Sequence, residues 1–320
     1  MKIWFENVDF TSNSGPNSFG QKLYKQFSNL GRSCVEAHNI EVNTRDYPDA
    51  ILCFIESSRP VFDTVNIPTI LRLDGIYFNT RFDWHAQNKN IKRTYDNVEG
   101  IVFQSEFAKK EIFKFFGHHD NTTVIQNGAD IDYINTVQPA QNKILDSYEN
   151  VWCSSATWRP HKRLKENVDY FLEHSTEKDC LVIAGKRFPD VDYSKVLQSD
   201  RVFYVDQIPP ESLFSLYKRS KYFLHLAWLD HCPNVVVDAR ASGCQIICSS
   251  TGGTKEIAGK DAILIEEEEW GICPVDLYSP PALDFSKKFK NNWDLSYNME
   301  YVAKRYVDFL SDTKFKINKV

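Results

Sequence analysis

From its start to Ile265 the chain alternates short apolar runs with amphipathic stretches of helical period, and glycines stop several of those stretches. That alternation admits few folds. A short run that is apolar throughout suits a strand buried on both faces, and the helical stretch that follows supplies the crossover a parallel sheet requires. In the first half the strand runs are Lys2–Phe5, Ala50–Ile55, Thr69–Leu73, Gly100–Phe103 and Thr123–Ile125. Helices are predicted over Phe19–Leu30 and Glu106–Phe116, stopping at Gly31 and Gly117. In the second half, strands fit Val151–Ser155, Leu181–Ala184, Val202–Val205, Tyr222–Leu226, Gln245–Cys248 and Ala262–Ile265. Helices fit Leu164–Glu173, Glu211–Ser220 and Asn234–Ala241 between them, and a last periodic stretch, Met299–Leu310, puts Val302, Tyr306 and Phe309 on one face.

With 320 residues the chain exceeds one ordinary core. The expected organisation is an α/β domain over 1–145, a second over 146–285, and a helical segment, 286–320, that packs back toward the first. The polar stretch "DIDYINTVQPAQNKILDSYEN" reads as a hinge between the two domains. Two doubly wound domains facing each other would leave a cleft at the carboxyl ends of both sheets, where ligands of such folds bind. A net charge of -5 gives no global field toward nucleic acid or anionic lipid. The eight cysteines show no paired metal-ligand spacing, and several lie in apolar runs where Cys acts as a small hydrophobe. The start "MKIWFENVDF" lacks the progression of a secretion signal, and no apolar run reaches bilayer length. A soluble, cytoplasmic protein with reduced thiols is expected.

Three stretches carry candidate chemistry. The loop "TSNSGPNSFG" follows the first strand, and Gly15 and Gly20 would let backbone approach an anion at a helix start. It lacks the lysine of a P-loop and the spacing of a dinucleotide fingerprint, so alone it is equally a plain turn. In "ATWRPHKRL", Arg159, His161, Lys162 and Arg163 gather where a strand gives way to a helix. Cations are misplaced at a helix start unless an anion joins them, which favours a diphosphate clamp over a solvated face. In "WLDHCPNVVVDARASGCQIICSSTGGTKEI", Asp230 and Asp238 flank a helix start at Pro233, taken as the first helical residue, and Glu256 follows a Gly-Gly turn. Carboxylates so placed can accept bidentate bonds from vicinal diols such as a sugar ring and a ribose, with helix N–H groups on the phosphates between them.

The segment Asp230–Gly243 followed by Gly252-Gly253-Thr254-Lys255-Glu256 resembles the signature of family-4 retaining glycosyltransferases of GT-B fold. The pieces "SGPNSFG", "VFQSEF", "VIQNGADI", "PHK" and "VFYVDQIPPESLFSLYKRSKYFLHLA" arrive in that family's order, so that the resemblance extends over most of the chain. The resemblance implies sugar transfer from a nucleoside-diphosphate sugar, hexosyl or pentosyl, with anomeric configuration kept and neither metal nor other cofactor, as in glycan biosynthesis. It makes 1–145 the acceptor side and 146–285 the donor domain, both Rossmann-like. Asp238 would hold the ribose and Asp230 the donor sugar, while Lys162 with Arg159 would clamp the diphosphate. The backbone from His231 through Cys232, Pro233, Asn234 and Val235 would line the donor pocket, with Gly185 beside it and Ile208 at the base. Gly15, Pro16 and Asn17 would approach the phosphates from the other domain.

The chain departs from the pattern at four places. Both signature acids are Asp rather than Glu, the usual arginine position is Thr157 so that Arg159 must substitute, and Asp74 stands where a histidine is usual. Asp74 would act as general base or only position the acceptor hydroxyl. The triplets "DID" (Asp130–Asp132) and "DVD" (Asp190–Asp192) are read as structural, and His225 as a core residue. UDP- or GDP-linked donors are the starting expectation. The acceptor is open among glycans, lipid-linked glycans, proteins and small molecules, with peripheral membrane contact compatible and the oligomeric state open. Modified bases of viral DNA are a disfavoured acceptor for which Lys89, Lys92 and Arg93 would form a phosphate track. The rival readings are a sugar-nucleotide epimerase of the same fold and a catalytically degenerate sugar- or nucleotide-binding protein.

Overall fold

The computed structural model describes residues 1–37, 47–59, 67–189, 191–194 and 196–317. Asp190, the first residue of the "DVD" triplet, lies outside the described residues. The chain divides into two compact units, one of Met1–Phe78, Phe82–Gly128 and Ser296–Val320, the other of Asn79–Arg81 and Ala129–Leu295.

The first unit contains β1 (Lys2–Glu6), α1 (Gly15–Asn29), β2 (Ser33–Ala37), β3 (Ala50–Phe54), β4 (Thr69–Leu73), α2 (Trp84–Asn97), β5 (Gly100–Phe103), α3 (Glu106–Phe116) and β6 (Thr122–Val124). Its six strands are parallel, in the order β2-β1-β3-β4-β5-β6. β3, β4 and β5 are buried from end to end, which is why each reads as an unbroken apolar run. Two elements of this unit escaped the sequence reading for physical reasons. β2 is an edge strand with Ser33, Val35 and Glu36 exposed, so burial imposes no apolar run on it. α2 buries Asn88, Ile91, Thr94 and Tyr95, and the polar pair among them interrupts its stripe. α1 starts at Gly15 rather than Phe19, with Pro16 in the first turn where its missing N–H costs nothing.

The second unit opens with α4 (Ile131–Thr136) and continues with β7 (Asn150–Ser155), α5 (Leu164–His174), β8 (Asp179–Ala184), β9 (Val202–Val205), α6 (Pro210–Arg219), β10 (Tyr222–His225), α7 (Asn234–Ala241), β11 (Gln245–Ser249), α8 (Thr254–Ala258), β12 (Ile263–Ile265) and β13 (Lys288–Lys290). The order is β13-β12-β11-β10-β7-β8-β9, parallel except for β13, which runs against β12. Chain order therefore reverses between β7 and β10. The polar stretch read as a hinge is laid along α6. Ala140 donates to the Ser215 carbonyl at 2.9 Å, Ser215 Oγ to Gln138 at 2.7 Å and Lys218 Nζ to Val137 at 2.7 Å. Its carbonyls find side-chain donors on a neighbouring helix, so it needs no periodicity of its own. Asp130 caps α4 by accepting from Tyr133, and Asp192 accepts from Ser194, so both acidic triplets have local structural work.

The last helix, α9 (Met299–Ile317), returns to the first unit and shares one core with α1. Met299, Val302, Tyr306 and Leu310 are buried with Phe19, Leu23 and Phe27, and the Tyr306 and Phe19 rings lie 5.9 Å apart. Among the described residues no helix is long and apolar enough to cross a membrane. Replacing the fully buried Leu310 by Ala opens a cavity in this shared core. The expected loss is about 2–4 kcal/mol, seen as a lower unfolding midpoint in urea; a midpoint unchanged from wild type would mean that α9 is not part of the core.

Candidate active site

Ligands of open parallel sheets bind where strand order reverses, outside the carboxyl ends of the strands. In the second unit that point is flanked by the turn after β7, residues 156–163, and the turn after β10, residues 226–233. The two turns are tied together. Trp228 N–H donates to the His161 carbonyl at 2.8 Å, and the Lys162 ammonium pairs with Asp230 Oδ2. His225, the last residue of β10, brings its ring Nε2 to 2.9 Å from the same oxygen, while Asp230 Oδ1 accepts the His231 N–H at 3.1 Å.

The backbone that presents Asp230 is constrained on both sides. Leu229 takes the left-handed region at φ 55° and turns the chain out of the strand line. Gly252, at φ 81°, packs on the Asp230 peptide so closely that a Cβ would sit 2.6 Å from the Asp230 carbonyl oxygen. Gly253 N–H donates to that carbonyl at 2.8 Å. The Gly-Gly turn thus seats the acid at the end of a buried strand. Glu256, at the start of α8, is itself buried.

The electrostatics follow from burial and pairing. Burial alone would raise the Asp230 carboxyl, but the Lys162 ammonium and the His225 ring outweigh it and hold the group well below the usual carboxylate range. Burial pushes His225 down from its ordinary value, against the pull of Asp230. It pushes His161 down further, with Lys162 adding to the effect. Since an ionised carboxylate only accepts, His225 Nε2 carries the proton. His161 Nδ1 is buried with no hydrogen-bond partner among the described residues, and the ring stacks on Tyr278.

Other expected residues separate into distinct environments. Arg159 is exposed at the head of the basic turn and forms no ion pair among the described residues. Arg163 does not join the clamp. Its side chain is fully buried, pairs with Glu267 at 2.6 Å and donates to the carbonyls of Leu226 and Pro281, so the fourth cation of the motif is structural. Glu267 lies in the "EEEE" run, Glu266–Glu269, and its side chain is 4% exposed. Pro233 precedes α7 and Asn234 is its first residue, as the helix bounds Asn234–Ala241 read from the sequence have it, while the helix start taken at Pro233 is one position early. Among the described residues no side chain caps that start, and Cys232 is buried while His231, Pro233, Asn234 and Val235 are half-buried. Asp238 is buried within α7. Gly185, at φ 122°, lies against the Ala156 carbonyl at the end of β8, a close approach that no side chain permits. Ile208 is half-buried before α6.

In the first unit, Gly15, Pro16 and Asn17 form the first turn of α1, and Asn17 Oδ1 accepts the Asp9 N–H at 3.0 Å. Asp74 follows β4, its carboxylate pairs with the buried Arg72, and its carbonyl accepts from Gln104. Arg72 also donates to Asn127 Oδ1 at 2.8 Å and stacks on Phe19 at 4.1 Å. Of the basic residues on α2, Lys92 pairs with Asp96 and Arg93 donates to the carbonyls of Ser57 and Arg59, while Lys89 has no such engagement among the described residues. Sequence reasoning missed Arg72, and it placed His225 in the core without its bond to Asp230. Each sits inside an apolar strand, where one polar letter carries no sign of its partner.

The lowered histidines set the direction of the pH dependence. Between their folded values and about 6.5 the unfolded chain binds more protons, so stability rises with pH through that window and is lost as pH falls. Thermal melts should therefore show Tm decreasing from pH 7 to pH 5, with a shallower slope when His161 and His225 are both replaced by Gln. An equal slope would show that neither ring is held neutral. Gly252→Ala should cost about 1–3 kcal/mol through its left-handed φ and the clash with Asp230, read by denaturant unfolding; a neutral substitution would show that the Asp230 seat is loose.

Residues 139–271 match the family described as glycosyl transferases group 1. No curated protein sequence matches the chain. Solved structures similar to it include HepE of Anabaena in complex with UDP and glucose, at TM-score 0.64 and 13% identity over 98% of this chain and 100% of that one. Sucrose-phosphate synthase of Thermosynechococcus elongatus is similar at TM-score 0.65 and 11% identity, covering 100% and 94%. WaaG, a glycosyltransferase involved in lipopolysaccharide biosynthesis, is similar at TM-score 0.59 and 10% identity, covering 99% and 93%. The fold is thus GT-B, built of two Rossmann-like parallel-sheet units, and the matched residues include Lys162, Asp230 and Asp238.

Proposed function

We propose that the chain is a retaining glycosyltransferase that moves a sugar from a nucleoside-diphosphate sugar to an acceptor hydroxyl without a bound metal. The observation that carries this reading is the Lys162–Asp230 pair at the strand-order reversal of the second unit, inside the stretch that matches the group 1 family. HepE in complex with UDP and glucose makes UDP the first nucleotide to try. In this reading Lys162 and the exposed Arg159 face the diphosphate, the uncapped start of α7 adds backbone N–H groups, and Asp238 receives the ribose.

The chemistry is a substitution at the anomeric carbon. The bond to the phosphate oxygen breaks with its electron pair leaving on the diphosphate, where Lys162 and Arg159 stabilise the growing charge. The acceptor oxygen bonds to the same face, and its proton passes to the leaving phosphate oxygen. Asp74, paired with Arg72, is better suited to position the acceptor hydroxyl than to take its proton. Asp230 bears on the sugar. Its Oδ2 already takes two donors, so a bidentate grip on a diol requires one of them to leave.

A second reading is favoured by that same occupancy. Two functional groups that satisfy each other can belong to a degenerate binder without turnover. A thermal-shift panel of UDP, GDP, ADP, CDP and dTDP, with and without magnesium, separates these outcomes on wild type and Asp238→Ala. At a hundred times its Kd a nucleotide adds about 2.7 kcal/mol to stability. One diphosphate is expected to stabilise wild type alone, equally with and without magnesium. No shift from any diphosphate would overturn the donor site, and a shift that needs magnesium would overturn the metal-free mechanism. Binding without release of diphosphate from any sugar nucleotide in the presence of mixed acceptors would favour the binder.

A further inference from the structure

His225 is 4% exposed, on a strand paired with β7 and β11, and its ring lies parallel to Phe223. A histidine that merely completes a core bonds to nearby backbone. Here the ring's polar partner among the described residues is Asp230, at 2.9 Å. Both ends of that bond stand on rigid supports, the ring at the end of β10 and the carboxylate on the peptide that Gly252 and Gly253 seat.

The count of donors makes the bond significant. A carboxylate offers about four acceptor positions. Oδ2 takes Lys162 and His225, and Oδ1 takes the His231 N–H. A diphosphate carries more negative charge than one carboxylate and competes for the Lys162 ammonium. If Lys162 were the sole side-chain anchor, its departure would leave a mostly buried carboxylate without a side-chain donor and at liberty to turn. The neutral His225 N–H prevents this without adding a second charge to the site.

Resting on the glycosyltransferase reading, we propose that His225 is the positioning residue of the donor-sugar subsite. Its N–H keeps Asp230 in register when the diphosphate draws Lys162 away, and a sugar hydroxyl takes the acceptor place on Oδ2 that Lys162 vacates. Asp230 thereby exchanges an ammonium donor for a hydroxyl donor and remains satisfied. The shorter reach of Asp against Glu fits this arrangement, because a carboxylate held from the strand side does not swing outward to meet its ligand.

The test uses the intact chain with His225→Leu, which removes the donor, and His225→Gln, which returns an N–H at similar reach. Calorimetric Kd values are measured for the diphosphate that stabilises wild type and for its glucose-linked form, after circular-dichroism melts establish that each variant is folded. For the bare diphosphate, His225→Gln should stay within about threefold of wild type, and His225→Leu should weaken by less than it does for the glucose-linked form, because Asp230 then keeps only the His231 N–H. The added affinity that the sugar confers should fall about tenfold in His225→Leu, the size of one lost hydrogen bond, and return to within about threefold in His225→Gln. A sugar increment that is the same in all three proteins overturns the role of His225 while leaving the donor site standing. Equal loss for both ligands, or a Gln variant that behaves as Leu does, assigns His225 to the core and also overturns it. Failure of wild type to bind any diphosphate removes the glycosyltransferase reading and this inference with it.

Discussion

The ion pair between Lys162 and Asp230 is what the candidate site depends on, and the fold explains why it can exist. Each partner stands on a turn leaving one of the two strands between which chain order reverses, so a parallel sheet brings together residues far apart in sequence. The pair is mostly buried yet reachable, with Lys162 18% and Asp230 14% exposed. Its neighbour Arg163–Glu267 has exposures of 0% and 4% and satisfies itself on carbonyls as well. Adjacent residues of one basic turn thus divide their work. Arg163, at a left-handed φ of 54°, ties the turn to the body of the unit, while Lys162 pairs with Asp230.

A similar logic holds in the first unit. Arg72, wholly buried in β4, pairs with Asp74 just beyond the strand and is held by Phe19 and Asn127. In both units a buried or half-buried cation fixes an aspartate at the carboxyl end of a parallel strand. Such acids are costly to place unless paired, and pairing lets a short loop hold a carboxylate in one orientation. Phe19 also belongs to the core that α1 shares with α9, so the last helix of the chain helps hold the wall behind Asp74.

Much of this was legible in the letters, and what was not has identifiable causes. Strands buried on both faces, such as β4 and β5, could be read to the residue because burial dictates every position. The edge strand β2 and the helix α2 could not, since one is exposed and the other buries polar Asn88 and Thr94. At the site, Lys162, Asp230 and the Gly-Gly turn were visible as a spaced set. Arg163 was misread because a cation beside three others looks like part of their cluster until Glu267, over a hundred residues away, is seen against it. His225 is buried as its place in an apolar run implies, but its partner could not be read from the sequence. Its partner is only five residues on, but the turn at Leu229 that folds Asp230 back onto it has no signature in residue type.

The most direct test of the account is a crystal structure of the chain with the nucleoside diphosphate that binds it. Phosphate oxygens are expected within hydrogen-bond distance of Lys162 Nζ, with that ammonium withdrawn from Asp230 while His225 Nε2 stays on the carboxylate. A diphosphate seated elsewhere, with the Lys162–Asp230 pair intact, would contradict it.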